Sequence, residues 1–222
     1  MKRIEACTAV LTAILLFISS VGFSQNSPVL KQQVNFELGI DDVVADYTFG
    51  TYLVKTADSY TLVDQATKIQ LGTVQFEADV WGAPGVGKMA VWKDGKFLVS
   101  TGFVLMLLDP IEQTVDTFFN KIEFPEIIEN FIPMPGNDGQ VLIATKIYEL
   151  KKDKSISYKD ENGNHEGSKN CRLILYDAKT NTIVKAVNTQ HYITVFNSSH
   201  TTAGKILAGT FEGDILEIDG NL

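Results

Sequence analysis

The chain has 222 residues, 45% of them hydrophobic, and a formal net charge of -8 from 27 acidic and 19 basic residues. That acidity, with no basic run to override it, excludes nucleic acid phosphates and anionic lipid headgroups as the main partners. Two cysteines, Cys7 and Cys171, are too few for a disulfide framework, so an apolar core must supply the stability.

In chain order, the first segment reads Met1-Lys2-Arg3, an apolar run from Ala6 to Ile18, and small residues at Gly22 and Ser24. A basic start, a short apolar core and small residues before the break form a secretory signal peptide over residues 1–24. The apolar run falls short of the roughly 20 residues that a membrane span requires, so no span is expected in the mature chain. Cleavage after Ser24 would remove Lys2, Arg3 and Glu5, leaving 17 basic and 26 acidic residues and a net charge of -9. The expected location is the periplasm, the cell surface or the medium.

Residues 25–33 are polar, carry Ser27-Pro28 and read as a linker. Val34 to Leu38 alternates apolar and polar residues, as a half-buried strand does. Strands are then expected at Val44–Phe49, Thr51–Thr56, Tyr60–Asp64 and Lys68–Phe76, followed by Met89–Lys93, Lys96–Thr101, Phe103–Leu108 and Thr114–Phe119. A third group begins near Ile128–Met134 and Gln140–Leu150. It is interrupted by a charged insertion at 151–170 and resumes at Cys171–Asp177; a fourth runs from Tyr192 to Asp219.

These groups are copies of one unit. An offset of 45 residues lays Thr56 on Thr101 and Asp64 on Asp109, and brings Gly50, Leu53 and Val54 onto Gly95, Leu98 and Val99. Further copies start at Gly139 and Gly204, and Asp177 and Asp219 occupy the place of Asp109. A period in the low forties, built from short apolar runs punctuated by Gly and Asp, predicts four-stranded propeller blades over 34–222. Leu175-Tyr176-Asp177-Ala178-Lys179-Thr180-Asn181-Thr182-Ile183-Val184 resembles the strand-turn-strand unit of YVTN, quinoprotein-like and WD-repeat-like propellers, and Gly95 to Thr101 is similar to the strand preceding it. The resemblance implies an all-β propeller of about four blades: a closed ring in which Val34–Leu38 completes the last blade, or the front part of a larger propeller. Tryptophan docking motifs of quinone-binding propellers and the Gly-His to Trp-Asp pairing of WD repeats are missing.

Several chemical motifs fail on inspection. Gly82 to Lys88 matches a phosphate-binding loop, but Met89 replaces the required Ser or Thr and a hairpin replaces the helix. Asp160 to Glu166 imitates a calcium loop whose twelfth position is Cys171 instead of Glu. His165, His191 and His200 lack metal-ligand spacing, and the repeated aspartates suit turns. No catalytic residue, metal or cofactor is therefore expected, and Cys171, opening an apolar strand, reads as an inert thiol.

Function concentrates in loops on a rigid scaffold. The face formed by the connections between second and third strands and between blades collects Asp58, Trp81, Lys146, His191, Tyr192 and Glu212, the candidate binding residues. Trp81, an aromatic in a Gly-rich loop, suits a sugar or a partner side chain. The expected function is an exported, non-enzymatic module for a protein, small molecule or glycan. The alternative is part of a propeller enzyme whose catalytic residues lie outside this chain, and a third reading makes the charged insertion a protein-docking hairpin.

Overall fold

A computed structural model describes residue 36 and residues 39–75, 87–153, 170–198 and 205–219, all within one compact unit, Phe36–Leu222. The strands are β1 (Asp42–Asp46), β2 (Thr51–Lys55), β3 (Ser59–Asp64), β4 (Gln70–Gln75), β5 (Met89–Val91), β6 (Phe97–Ser100), β7 (Leu105–Asp109) and β8 (Thr114–Phe119). They continue as β9 (Glu126–Pro133), β10 (Gln140–Ile147), β11 (Cys171–Asp177), β12 (Thr182–Thr189), β13 (Ile193–Ser198), β14 (Lys205–Thr210) and β15 (Ile215–Asp219). Each sheet is an antiparallel meander of consecutive strands: β1–β4, β5–β8, β9–β12 and β13–β15. The result is an all-β, four-bladed propeller. Val34–Leu38, apart from Phe36, and Gly204 lie outside the described residues, as do the signal peptide, the linker and positions 154–169 of the insertion.

The repeated residues recur because the backbone requires them. Gly50, Gly95 and Gly139 all end the turn between the first and second strands of a blade with positive φ, at 64°, 73° and 138°. A side chain at such angles is strained, so the turn selects glycine. Thr56 and Thr101 close equivalent turns: Thr56 N donates to Ser59 O, and Thr101 N donates to Val104 O, both at 2.9 Å. In the next turn one aspartate oxygen accepts two backbone amides: Ala66 and Thr67 for Asp64, Ile111 and Glu112 for Asp109, Lys179 and Thr180 for Asp177. The first inner strand is displaced from expectation. It occupies Asp42–Asp46, and Tyr47–Gly50 form the hairpin turn, where the Asp46 carboxylate accepts the Thr48 and Phe49 amides.

Among the described residues three apolar seams join the blades. Leu53, Tyr60, Leu62 and Val74 pack on Phe97, Val99 and Leu108 between the first and second. Leu98, Leu105 and Phe119 meet Ile128, Phe131, Ile143 and Tyr176 between the second and third. Leu142, Ala144, Leu173 and Leu175 meet Ile193, Ile206, Ala208 and Ile218 between the third and fourth. A backbone contact reinforces the first seam: a Cβ added at Gly72 would stand 2.1 Å from the Pro110 carbonyl oxygen. Inner strands β1, β5, β9 and β13 together line a channel of about 500 Å³ walled by Val44, Val91, Ile132 and Phe196.

The turn aspartates set a pH dependence. Backbone amides, led by Thr67, Glu112 and Thr180, hold the carboxyls of Asp64, Asp109 and Asp177 below the ordinary aspartate range. A lowered folded value means that their stabilisation is fully present above the unfolded value near pH ~4 and is lost as pH falls through the folded values. Denaturant midpoints should fall on acidification below about pH 4, and the triple Asp→Asn variant should show a weaker fall in the same titration.

Candidate functional site

Four of the six candidate residues converge where the third and fourth blades meet: Lys146 from β10, His191 and Tyr192 from the β12–β13 connection, and Glu212 from the β14–β15 turn. Asp58 does not join them among the described contacts. It sits in the β2–β3 turn, where its carboxylate accepts the Thr56 hydroxyl at 3.1 Å. Trp81 lies outside the described residues.

The site forms the polar end of the third apolar seam. Along β10, Leu142 and Ala144 face the fourth blade, and the two-residue period carries Lys146 to the same side. Lys146 is 1% exposed and Tyr148 is 5% exposed. The Lys146 Nζ lies 4.8 Å from the Tyr192 ring centroid and 5.3 Å from that of Tyr148, so two aromatic faces solvate a buried ammonium.

Glu129 completes the arrangement through a β-bulge. β9 pairs Asn130 with Ala144 but Ile128 with Thr145, leaving Glu129 as the extra residue. Alternation alone would turn Glu129 toward the second blade; the bulge re-aims it toward the fourth. Its carboxylate accepts the Tyr148 hydroxyl at 2.5 Å and the Tyr192 hydroxyl at 2.9 Å, and the two hydroxyl oxygens are 3.3 Å apart. Burial pushes both tyrosine hydroxyls well above their ordinary value, and for Tyr148 the bond to Glu129 adds to the effect. Both remain protonated donors. Cys171 stands opposite Lys146 in the ladder. Burial pushes its thiol up to about 11 against the opposing pull of Lys146, the reverse of an activated nucleophile.

Around this anchor the surface is polar, with one aromatic at its centre. Phe211, 51% exposed, lies over Tyr192 with ring centroids 5.7 Å apart and a 31° tilt. The Phe211 amide donates to the Tyr192 carbonyl, and the Tyr192 amide donates to the Glu212 carboxylate at 3.3 Å. His191 Nδ1 lies 3.8 Å from an Asp214 oxygen. The Phe211 ring, the Tyr192 ring and the Lys146 ammonium thus stack from surface to interior.

Sequence reasoning missed Glu129, Tyr148, Phe211 and Asp214. The two-residue period of β10 places Tyr148 on the same side as Lys146, and Phe211 adjoins Glu212, so the sequence carries a signal for both. A second buried acid, Glu126, faces the opposite side of the sheet, where it accepts the Thr145 hydroxyl and pairs with Arg172 at 2.9 Å. Among the described residues no three His, Cys, Asp or Glu groups come together as a metal site.

No protein-family model and no curated protein sequence matches the chain. Solved structures do. The computationally designed Ika4 protein superposes with a TM-score of 0.52 at 8% identity, over 85% of this chain and 95% of the designed one. The Pan2 WD40 domain of Neurospora crassa gives a TM-score of 0.57 at 11% identity, over 82% of this chain and 47% of that one. The shared fold is the β-propeller. The extracellular domain of BT4673 from B. thetaiotaomicron gives a TM-score of 0.55 at 14% identity, over 86% of this chain and 22% of that one. The propeller therefore spans most of the designed protein but less than half of either natural chain. Likeness at such identities shows the fold alone, and a propeller is in general a scaffold for binding. Among the described residues no helix is long and apolar enough to cross a membrane.

Two measurements probe the site. Tyr148→Phe removes one of the two tyrosine donors to the buried Glu129 carboxylate and should cost about 1–3 kcal/mol in chemical denaturation. Combined with Tyr192→Phe it should give a non-additive total, because both hydroxyls share one acceptor. Cys171 should resist iodoacetamide at neutral pH in the folded chain and react once denaturant is added, read by intact mass.

Proposed function

We propose that the chain is an exported, non-enzymatic binding module that takes a partner protein where the third and fourth blades meet. The observation carrying this reading is the anchored stack of Lys146, Tyr192 and Phe211, in which a half-exposed aromatic rests on a ring fixed by Glu129. An aromatic held rigidly at the centre of a polar rim is the usual composition of an interface hot spot. Little conformational entropy remains to be lost when a partner docks on it.

The chemistry supports binding over turnover. The shifted groups here are tyrosines kept protonated and a thiol pushed up, both moved away from nucleophile or base. Glu212 and Asp214 give the rim negative charge. The partner they favour carries an apolar side chain beside basic groups. The basic, apolar and small-residue order of residues 1–24 supports export, which places that partner outside the cytoplasm.

The mature chain, immobilised and exposed to an extract of exported proteins, should retain a partner whose binding Phe211→Ala weakens about 30-fold or more. Asp58→Ala should leave retention unchanged. Equal capture by the Phe211→Ala chain, or turnover of an ester, glycoside or peptide panel that tracks with the purified protein, would overturn the reading.

A further inference from the structure

The opposite end of the blades carries a concavity between the β5–β6 hairpin and the β9–β10 turn. It measures about 340 Å³ and is lined by Trp92, Lys93, Pro133, Met134 and the turn from Gly136 to Gly139. That volume sits at the low end of the ~300–1,000 Å³ typical of small-molecule sites, enough for one ring. None of the six residues selected from the sequence belongs to it.

Its walls combine two chemistries. Trp92 forms the apolar wall, and its indole is fixed by edge packing on Phe118, with centroids 4.9 Å apart. The polar wall joins Lys93, whose ammonium lies over the Trp92 ring 5.7 Å from its centroid, to the turn of the neighbouring blade. The Lys93 ammonium donates to Asp138 Oδ1 at 3.1 Å, Lys179 approaches Oδ2 at 3.9 Å, and Asn137 donates to Gln140 at 2.7 Å. The turn is shaped for this: a Cβ at Gly139 would come 2.9 Å from the Lys179 side chain, so glycine lets that chain lie across it. A Cβ at Gly136 would meet nothing within 4 Å, which leaves the mouth open.

The composition narrows the ligand. An anion would meet the Asp138 carboxylate, a cation would meet Lys93 and Lys179, and an aliphatic molecule would leave all three without use. A pyranose satisfies both walls: its C–H face stacks on an indole, and adjacent hydroxyls donate to a carboxylate and accept from an ammonium. These charged groups are exposed, so a sugar can replace their water without the cost of burying an ion.

We propose that the pocket between Trp92 and the Asn137–Gly139 turn binds a neutral hexopyranose, alone or at the end of an oligosaccharide. The chain has two tryptophans, so Trp81→Phe leaves Trp92 as the sole indole reporter. Glucose, mannose, N-acetylglucosamine and cellobiose, each titrated into the Trp81→Phe mature chain, should include at least one that shifts Trp92 emission saturably. The affinity expected of such an open site is about millimolar. The same sugar, followed by calorimetry, should bind about tenfold more weakly to the Lys93→Ala/Asp138→Ala chain, whose melting midpoint should match its parent. Phe211→Ala should bind the sugar unchanged, which separates this pocket from the protein-docking surface. No saturable shift with any of the four sugars in a chain folded by circular dichroism overturns the proposal. So does undiminished binding by the double variant, or saturable binding of inorganic phosphate at the same indole.

Discussion

The three seams rest on one constraint, that an apolar sheet face is covered by the blade beside it. A blade of alternating side chains presents two surfaces, and strands such as Leu98-Val99 send residues into different seams, Val99 toward the first blade and Leu98 toward the third. Neither surface can be buried by the blade's own strands, so a sheet face becomes buried where a neighbouring blade packs on it. The ladder hydrogen bonds stay within a blade, whereas cohesion between blades is mainly apolar, at roughly 2 kcal/mol for each fully buried Leu, Ile or Phe.

At one end of the third seam the apolar logic gives way to a buried polar cluster. A lysine and a glutamate removed from water are costly unless hydrogen-bonded and paired with polarisable neighbours. Here the carboxylate receives two hydroxyls and the ammonium lies against two rings. The tyrosines serve both: each hydroxyl donates to Glu129 and each ring faces Lys146. The cluster thereby fixes the side chain on which Phe211 rests and connects packing in the seam to the shape of the surface above it.

Much of the architecture was legible because backbone geometry chose the residues. Gly50, Gly95 and Gly139 recur where φ is positive, Thr56 and Thr101 where a turn closes, and Asp64, Asp109 and Asp177 where a turn exposes two amides. The site was legible in part. Loop position selected His191, Tyr192 and Glu212, but Glu129 stayed hidden because a bulge breaks the two-residue period that sequence reasoning relies on. The inner strand of the first blade was misplaced for a related reason. Val44 to Phe49 reads as an apolar run, yet the Asp46 carboxylate bonds the Thr48 and Phe49 amides and ends the strand. Trp92 borders an Asp-Gly hairpin in the sequence, and only the fold brings it opposite Asp138, 46 positions later.

The contact between Gly72 and Pro110 reaches further than the seam it reinforces. With a glycine in one blade opposed to a carbonyl of the next, the two sheets meet as a keyed joint, closed to any residue that carries a Cβ. Blades of a repeat protein look interchangeable, but this pair is not. A shuffled or circularly permuted propeller built from these units must carry the Gly72 strand and the Pro110 turn together, or lose the fit that sets the spacing of its first two blades.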